Sequence, residues 1–343
     1  MKRTAFIFLA ALLTCRGFAA PDVPELKAGL TFTAMDTLNC GVESNKDAAE
    51  CLDGLDWTCT PFTVACQPPV KPGQGDWLLR FPSPRPTGES VNDLVAMEWS
   101  IARDKDGKPL TGPAMVVVHE SGRGMVAGRI FANGLRAYGI HTFLVHLPGY
   151  GARTPAERPG IRAMLPALQQ AVGDVRRAAD AVAALPYVDH ARTGLLGISL
   201  GGFVTATVSG LDRAYDNVFI LLAGGNLPDV ILQGEKDAAK VRTELAKAGV
   251  TVQEIKDLSR HIEPMRLAHR VDADRTWLFS GTKDEVVPPA CSVAFAWAAG
   301  LVNKKHHIEL PVGHYTAAVM LPVIMQQSAD ILKGTAAAAD KDP

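Results

Sequence analysis

The clearest chemical signal in the sequence is a serine set between small residues. Residues 197–201 read Gly-Ile-Ser-Leu-Gly, which has the form G-x-S-x-G, and Gly202 follows them. An apolar run at 193–196 precedes the motif, and residues 203–208 have the composition of a helix. A tight turn from strand to helix lifts a serine hydroxyl above a sheet, and small neighbours prevent backbone clashes. The pattern predicts that Ser199 is a nucleophile.

A serine nucleophile needs a base to take its proton, and the base needs a carboxylate to orient it. His314 follows the apolar run at 307–310, which places it at the carboxyl edge of a parallel sheet, where ligands bind. Asp284 lies in the turn after the run at 276–279, so its carboxylate is placed to reach His314. Glu285 meets the same criteria of order and location. We therefore predict His314 as the base and Asp284 as the acid, with Glu285 as the competing acid.

The reaction also needs N–H donors for a negatively charged oxygen. One predicted donor is the backbone N–H of Leu200, which directly follows the nucleophile. The other is expected in the loop after the run at 114–118, where glycines let the backbone turn inward. Ser121 is the predicted second donor, with Gly122 as the alternative. These groups require neither a metal nor an organic cofactor.

Elements that can position such residues alternate along the chain from about residue 76. Short apolar runs, typical of buried strands, lie at 94–101, 114–118, 141–146, 193–196, 218–222, 276–279 and 307–310. Between them lie amphipathic segments, of which the clearest places Leu165, Leu168, Val172, Val175, Ala179 and Val182 on one helix stripe. The alternation predicts an α/β fold with a mainly parallel sheet covered by helices on both faces.

One segment, residues 226–264, is longer than an ordinary crossover and carries a charged, helical composition. It precedes the strand that leads to Asp284. We predict a short helical insertion here, which either roofs the site or is a solvated helical excursion.

These motifs together resemble the α/β-hydrolase family over about residues 76–335. The similarity rests on residues 119–122, 148–151, 197–202, 281–288 and 313–314, and the nearest branch resembles the dienelactone hydrolases with their secreted acyl esterases. True dienelactone hydrolases have a cysteine where Ser199 stands, which argues against dienelactone as the substrate. Glu120 matches the glutamate that contacts the resting nucleophile in that branch. The alternative for Glu120 is a carboxylate that structures its loop.

The first twenty residues have the order of an export signal. Lys2 and Arg3 precede an apolar stretch at 5–13, and small residues follow at 17–20. The order predicts a secreted or periplasmic protein. Cys15 makes a poor match to a lipoprotein box, which leaves a lipid anchor as a minor alternative.

Export affects how the cysteines are interpreted. Cys40, Cys51, Cys59 and Cys66 lie close together in the sequence, at spacings unlike those of a zinc knuckle. In an oxidising compartment they predict two disulfides, and the sequence leaves all three possible pairings open. These disulfides are expected to staple residues 21–75 into an extension outside the catalytic domain, which is predicted at 76–335. Cys291 is expected to be buried packing.

Composition excludes several other classes of protein. With 343 residues, 35 Lys and Arg, 36 Asp and Glu and a net charge of −1, the chain lacks the basic field of a nucleic-acid binder. Its 47% hydrophobic content excludes general disorder, and no apolar run is long enough for a membrane span. Residues 336–343 read as a flexible tail.

The predicted function is that of a secreted serine esterase acting on a small-molecule or polymer-borne ester. A secreted serine peptidase, which uses the same triad, is the first alternative, and a non-catalytic binding protein is the second. Arg123 is a candidate contact for an anionic part of the substrate, and Tyr150 is a candidate pocket residue. Acyl and alcohol specificity and the oligomeric state stay open.

Overall fold

The computed structural model of the protein describes residues 25–157 and 159–335. The predicted export signal with Cys15 and the predicted tail at 336–343 lie outside the described residues. The strands of the sheet are β1 (Thr31–Ala34), β2 (Phe62–Gln67), β3 (Trp77–Pro82), β4 (Leu94–Ser100), β5 (Gly112–Val118), β6 (His141–His146), β7 (Val188–Ile198), β8 (Asn217–Leu221), β9 (Thr276–Gly281) and β10 (His307–Leu310).

The described helices lie between or beside these strands. They are α1 (Lys46–Asp53), α2 (Ser90–Asp93), α3 (Val126–Arg136), α4 (Met164–Ala183), α5 (Leu200–Val208), α6 (Leu227–Gln233), α7 (Asp237–Lys247), α8 (Val252–Ser259), α9 (Pro289–Ala298) and α10 (Leu321–Lys333). The seven apolar runs predicted as strands correspond to β4 to β10, and the predicted apolar stripe lies on α4.

All ten strands form one sheet in the order β1-β2-β3-β4-β6-β5-β7-β8-β9-β10. Neighbours from β1 to β6 pair antiparallel, and neighbours from β6 to β10 pair parallel. The chain runs from β5 to β6 on one side and then returns to β7 on the other. A crevice opens at the carboxyl ends of the strands where the order reverses in this way.

Helices cover both faces of the parallel part, as predicted. Along β5 the buried side chains alternate: Met115 and Val117 face α3 and α10, whereas Val116 and Val118 belong to the larger core on the opposite face. Every residue of β5 is buried. This double burial explains why the central strands appear in the sequence as continuous apolar runs.

The N-terminal segment is part of this sheet, which corrects the prediction of a separate extension at 21–75. β1 and β2 continue the sheet beyond β3, and Leu55 and Val64 are buried in the main core. Asp36 forms a buried ion pair with Arg177 of α4, and the Thr37 backbone N–H donates to Asp180 of the same helix at 3.0 Å. The segment therefore joins the rest of the protein through backbone pairing, buried apolar side chains and polar contacts to α4.

The structure contains no disulfide among its described residues, which contradicts the two predicted bridges. Cys40, Cys51, Cys59 and Cys66 are free, as is Cys291. Cys51 on α1 and Cys66 on β2 have no exposed surface and pack as small apolar side chains in the core. At least Cys51 and Cys66 are therefore explained by burial in the core and not by a disulfide. Cys291 is buried, as expected.

The charged segment at 226–264 is helical, as predicted, and consists of α6, α7 and α8. α7 buries only Ala238 and Leu245. Within residues 25–157 and 159–335, none of the helices has the length and apolar character that a bilayer crossing requires.

The free cysteines make a quantitative prediction for protein that lacks residues 1–20. Thiol titration of the unfolded, unreduced protein is expected to give five thiols, one for each free cysteine. Burial raises the pKa of Cys51 to about 12, so the native protein should react more slowly than the unfolded one. Titration after reduction is the control, and a single thiol before reduction would restore the two-disulfide prediction.

Candidate active site

Ser199 stands on a strained turn between β7 and α5. Its backbone has φ 52° and ψ −115°, a conformation that costs a non-glycine residue of the order of 1–3 kcal/mol. Glycines make the turn sterically feasible. A Cβ at Gly197 would lie 2.3 Å from the Gly201 carbonyl oxygen, and a Cβ at Gly201 would lie 2.3 Å from that of Val118. The strain and the close backbone approaches place the Ser199 hydroxyl at the carboxyl edge of the sheet.

His314 and Asp284 complete a hydrogen-bonded chain with Ser199. His314 Nε2 lies 2.9 Å from Ser199 Oγ, and His314 Nδ1 lies 2.7 Å from Asp284 Oδ2. The His314 side chain is 9% exposed and that of Asp284 is 2% exposed. Because a carboxylate accepts from Nδ1–H, Nε2 is left as the acceptor for the serine hydroxyl. The structure thus brings together the three residues predicted from the sequence.

Glu285 does not take the acid's position. Its carboxylate is about half exposed and pairs with Lys236. Asp284 is instead held in place on both sides, because its Oδ1 accepts the backbone N–H groups of Val286 and Val287, each at 2.9 Å. The tight turn after β9 aims one carboxylate oxygen at His314 and satisfies the other.

The two predicted oxyanion donors lie on loops that are joined to each other. Within the described part of the chain, neither the Leu200 nor the Ser121 backbone N–H has a hydrogen-bond acceptor. Gly201 N–H donates to the His119 carbonyl at 3.1 Å, which connects the serine turn to the loop that carries Ser121. Gly122, the alternative donor, follows on the same loop, where a Cβ would meet the Glu120 carboxylate at 3.2 Å.

His119 is a functional candidate that the sequence analysis missed. Its ring is fully buried: Nδ1–H donates to the Glu120 carbonyl at 2.6 Å, and Nε2 accepts the Leu147 N–H at 3.1 Å. Burial lowers the pKa of His119 to about 3, so the ring is neutral near pH 7. The Glu120 carbonyl belongs to the same peptide unit as the Ser121 N–H, whose direction His119 therefore fixes. A polar residue directly after the fully buried β5 was the available signal.

Tyr150 contacts the next peptide unit of the loop, which consists of the Ser121 carbonyl and the Gly122 N–H. Its hydroxyl donates to the Ser121 carbonyl at 3.0 Å, and its ring packs on that of His119 with 4.7 Å between centroids. Burial raises the pKa of Tyr150, which keeps the hydroxyl protonated at neutral pH. Tyr150 thus contacts the backbone of the loop beside the site.

Glu120 does not contact Ser199, which corrects its predicted role at the resting nucleophile. Its two carboxylate oxygens accept the N–H groups of Ala127 and Gly128, at 3.2 and 3.1 Å, in the first turn of α3. This is the loop-structuring alternative, since α3 has no side-chain cap of its own. Arg123 lies exposed on the same loop.

A cleft of about 610 Å³, lined in part by Asn39, Asp212 and Arg270, lies at the carboxyl end of α5, whereas Ser199 precedes its amino end. In the part of the chain that the structure describes, no cluster of three or more His, Cys, Asp or Glu side chains could hold a metal ion.

Comparison with known families places all three residues in one matched region. Residues 166–314 match the model of the prolyl oligopeptidase family, Peptidase_S9. This stretch is less than half of the chain and contains Ser199, Asp284 and His314. No curated protein matches the chain.

Solved structures share the fold at low sequence identity. Acetyl xylan esterase 1 from Thermoanaerobacterium sp. is 18% identical with a TM-score of 0.57, covering 87% of this chain and 96% of its own. An acetyl xylan esterase from Paenibacillus sp. is 15% identical with a TM-score of 0.56, covering 89% and 96%. A puromycin-hydrolyzing peptidase of Mycobacterium tuberculosis is 18% identical with a TM-score of 0.56 and covers 80% of this chain.

This chain spans only 46% of that peptidase, about half of its length. The shared architecture is that of the α/β-hydrolases, so the resemblance drawn from the sequence motifs is confirmed at the level of the fold.

The contacts of Glu120 predict a loss of stability when its carboxylate is removed. Glu120→Ala leaves two N–H groups of α3 without acceptors and is expected to lower the free energy of unfolding by about 1 kcal/mol. Urea unfolding measures the change. Glu120→Gln, which keeps one acceptor oxygen, should lose less. Unchanged stability of Glu120→Ala together with altered serine reactivity would contradict the capping role and favour contact with the nucleophile.

Proposed function

Starting from the α/β-hydrolase fold, we propose that the protein is a serine hydrolase that cleaves carboxylic esters through an acyl-enzyme intermediate. The observation that carries the proposal is the chain of two hydrogen bonds from Ser199 through His314 to Asp284, at 2.9 and 2.7 Å, on a strained turn. Structural glycine-rich turns have no need of a buried base and acid in this order. The further proposal that the enzyme is exported rests on residues 1–20 alone.

In the proposed mechanism, His314 Nε2 takes the hydroxyl proton as Ser199 Oγ attacks the ester carbonyl carbon. Asp284 holds the imidazole in the required tautomer and stabilises the imidazolium. The Leu200 and Ser121 N–H groups hold the oxyanion, where one donor contributes roughly 3–4 kcal/mol. Collapse of the tetrahedral intermediate releases the alcohol, which takes the proton from His314. Water then attacks the acyl-serine with His314 again as base.

An ester is favoured over a peptide by how the chain aligns with its structural neighbours. The two acetyl xylan esterases match over 96% of their own length. The peptidase has more than half of its length outside the alignment. The family match at 166–314 supports the peptidase alternative, because that family is named for oligopeptide cleavage. A non-catalytic binding protein is disfavoured by the intact serine, base and acid.

The nucleophile is tested by Ser199→Ala. We expect hydrolysis of nitrophenyl esters to fall by about 10⁴-fold or more, because no other group replaces the attacking oxygen. A fluorophosphonate should label the wild-type protein and leave Ser199→Ala unlabelled. Ser209→Ala, at the far end of α5, is the matched control and should retain both properties. Undiminished hydrolysis by Ser199→Ala would refute the proposed function.

Parallel substrate panels separate the two hydrolase candidates. Nitrophenyl esters from acetyl to dodecanoyl are compared with aminoacyl anilides, and Ser199→Ala gives the background for each. The proposal expects turnover of esters, with the chain-length optimum identifying the acyl group. Efficient cleavage of the anilides with poor turnover of the esters would contradict the esterase proposal and favour the peptidase alternative.

Tyr150 provides a test of the proposed oxyanion hole. Tyr150→Phe removes only the hydroxyl that binds the Ser121 carbonyl, whose peptide unit carries the N–H of Gly122, the alternative donor, so kcat is expected to fall about five-fold with KM unchanged if that donor is used. Thionoesters, whose sulfur accepts hydrogen bonds poorly, should lose less than the matching esters. Tyr138→Phe, at the opposite edge of the sheet after α3, is the control. Equal losses for ester and thionoester would place Tyr150 outside oxyanion stabilisation.

A further inference from the structure

Four consecutive residues of the helical insertion contact the loops that carry the acid and the base. Residues 234–236 connect α6 to α7, and Asp237 is the first residue of α7; these four residues are called the buttress turn below. Each of the four approaches a residue that follows Asp284 or His314 closely in the chain. Neither the predicted mechanism nor the family resemblance assigns them a role.

The first three residues of the buttress turn contact the acid loop. Gly234 packs so closely that a Cβ would lie 2.3 Å from the carbonyl oxygen of Val286. The Glu235 N–H donates to the Glu285 carbonyl at 2.7 Å, and the Lys236 ammonium pairs with the Glu285 carboxylate. Since Val286 N–H itself binds Asp284, these contacts support the turn that aims the acid.

The fourth residue contacts the base loop. Tyr315, which directly follows His314, donates its hydroxyl to Asp237 Oδ2 at 2.7 Å. The rings of His314 and Tyr315 meet edge to face with 5.6 Å between centroids, and the Lys236 ammonium lies 5.5 Å from the Tyr315 ring centroid. The hydrogen bonds from Lys240 and Tyr315 hold the pKa of Asp237 below its usual range, so it is charged at neutral pH.

The other end of α7 is also attached. Arg162 donates through Nε and Nη2 to the Ala248 carbonyl at 3.1 and 2.8 Å. Arg162 lies on the connection between β6 and α4, so α7 is fixed at both ends to connections that leave the carboxyl edge of the sheet. These contacts at both ends of α7 fix the position of the buttress turn against the loops that carry Asp284 and His314.

We propose that the buttress turn positions the acid–base pair, with Asp237 and Tyr315 as positioning residues for His314 and with Lys236 as a positioning residue for the Asp284 loop. The inference rests on the proposed function, since it concerns the same base and acid. It assigns to the insertion a part in setting the pH range over which Ser199 is activated.

Charged groups on the loops beside His314 determine the direction of the expected change in the pH profile. The acid loop presents Asp284, Glu285 and the exposed Lys283, and the insertion presents Lys236 and Asp237, with Lys240 bound to the latter. Residues 197–202 and 315–320 contain no charged side chain. A negative charge near the ring favours imidazolium, and a positive charge disfavours it.

The test follows the rate of fluorophosphonate labelling of Ser199 against pH at low ionic strength. Asp237→Asn keeps an oxygen acceptor for Tyr315 and removes the charge, so the acid limb of the profile should move to lower pH. Lys236→Met should move it to higher pH. Each shift is expected to be about 0.3–1 pH unit and to shrink in high salt. A purely structural role would not give shifts of opposite sign.

Positioning is separated from charge by two further variants. Tyr315→Phe and Asp237→Ala break the hydrogen bond and should lower the labelling rate above the acid limb about five-fold, whereas Asp237→Asn should retain it. Asp257→Asn on α8, an exposed acid of the same insertion, is the matched control and should behave as wild type. Thermal unfolding of each variant verifies that it is folded.

The outcomes distinguish this inference from the proposed function. If the wild-type protein is labelled and the variants keep its acid limb and its plateau rate, the proposed role of the buttress turn is wrong, but the proposal of a serine hydrolase stands. A wild-type protein that is not labelled at all overturns both.

Discussion

The site depends on one strained backbone position. Ser199 has a positive φ and is held there by backbone hydrogen bonds: its N–H donates to the Leu221 carbonyl on β8 at 2.8 Å, and Phe203 N–H donates to its carbonyl at 3.1 Å. Gly201 then meets the His119 carbonyl on the other side. β8 and the loop after β5, on the two sides of β7, therefore fix Ser199 and the predicted oxyanion loop relative to each other. Strain at a single residue is sustained by the sheet around it.

Buried polar contacts around Glu98 fix the loops that follow β5 and β6. Glu98 on β4 accepts from Arg129 Nη2 at 2.6 Å and from His146 at 2.9 Å, while Arg129 also donates to the Gly124 carbonyl. His146 Nδ1 accepts the Ala152 N–H at 3.1 Å. Burial opposes ionisation of Glu98, yet these hydrogen bonds hold its pKa below its usual range. Loops after β5 and β6 are thus tied to a buried carboxylate, and loops are otherwise the least constrained parts of a fold.

The sequence predicted what depends on periodicity and on local turn chemistry. The strands β4 to β10 are buried on both faces and stand out as apolar runs, and a G-x-S-x-G turn must present Ser199. The acid and base followed because parallel strands end at one edge. The N-terminal strands and the free cysteines were missed for a physical reason. β1 has only four residues, and the chain that follows it is held in part by ion pairs such as Asp36–Arg177, which leave no periodic signal in the sequence.

The same reason limits what could be predicted about the insertion. Its composition predicted a helical insertion but not its contacts. Residues 235–237 make polar contacts with the residues that follow Asp284 and His314, and a surface carboxylate such as Asp237 looks the same in sequence whether or not it meets Tyr315. The arrangement of Ser199, His314 and Asp284 follows from strand order, since parallel strands end at one edge of the sheet. Two of the charges near His314, Lys236 and Asp237, come instead from the insertion. On the proposed function, the reacting groups and part of the charge near the base therefore come from separate elements of this chain.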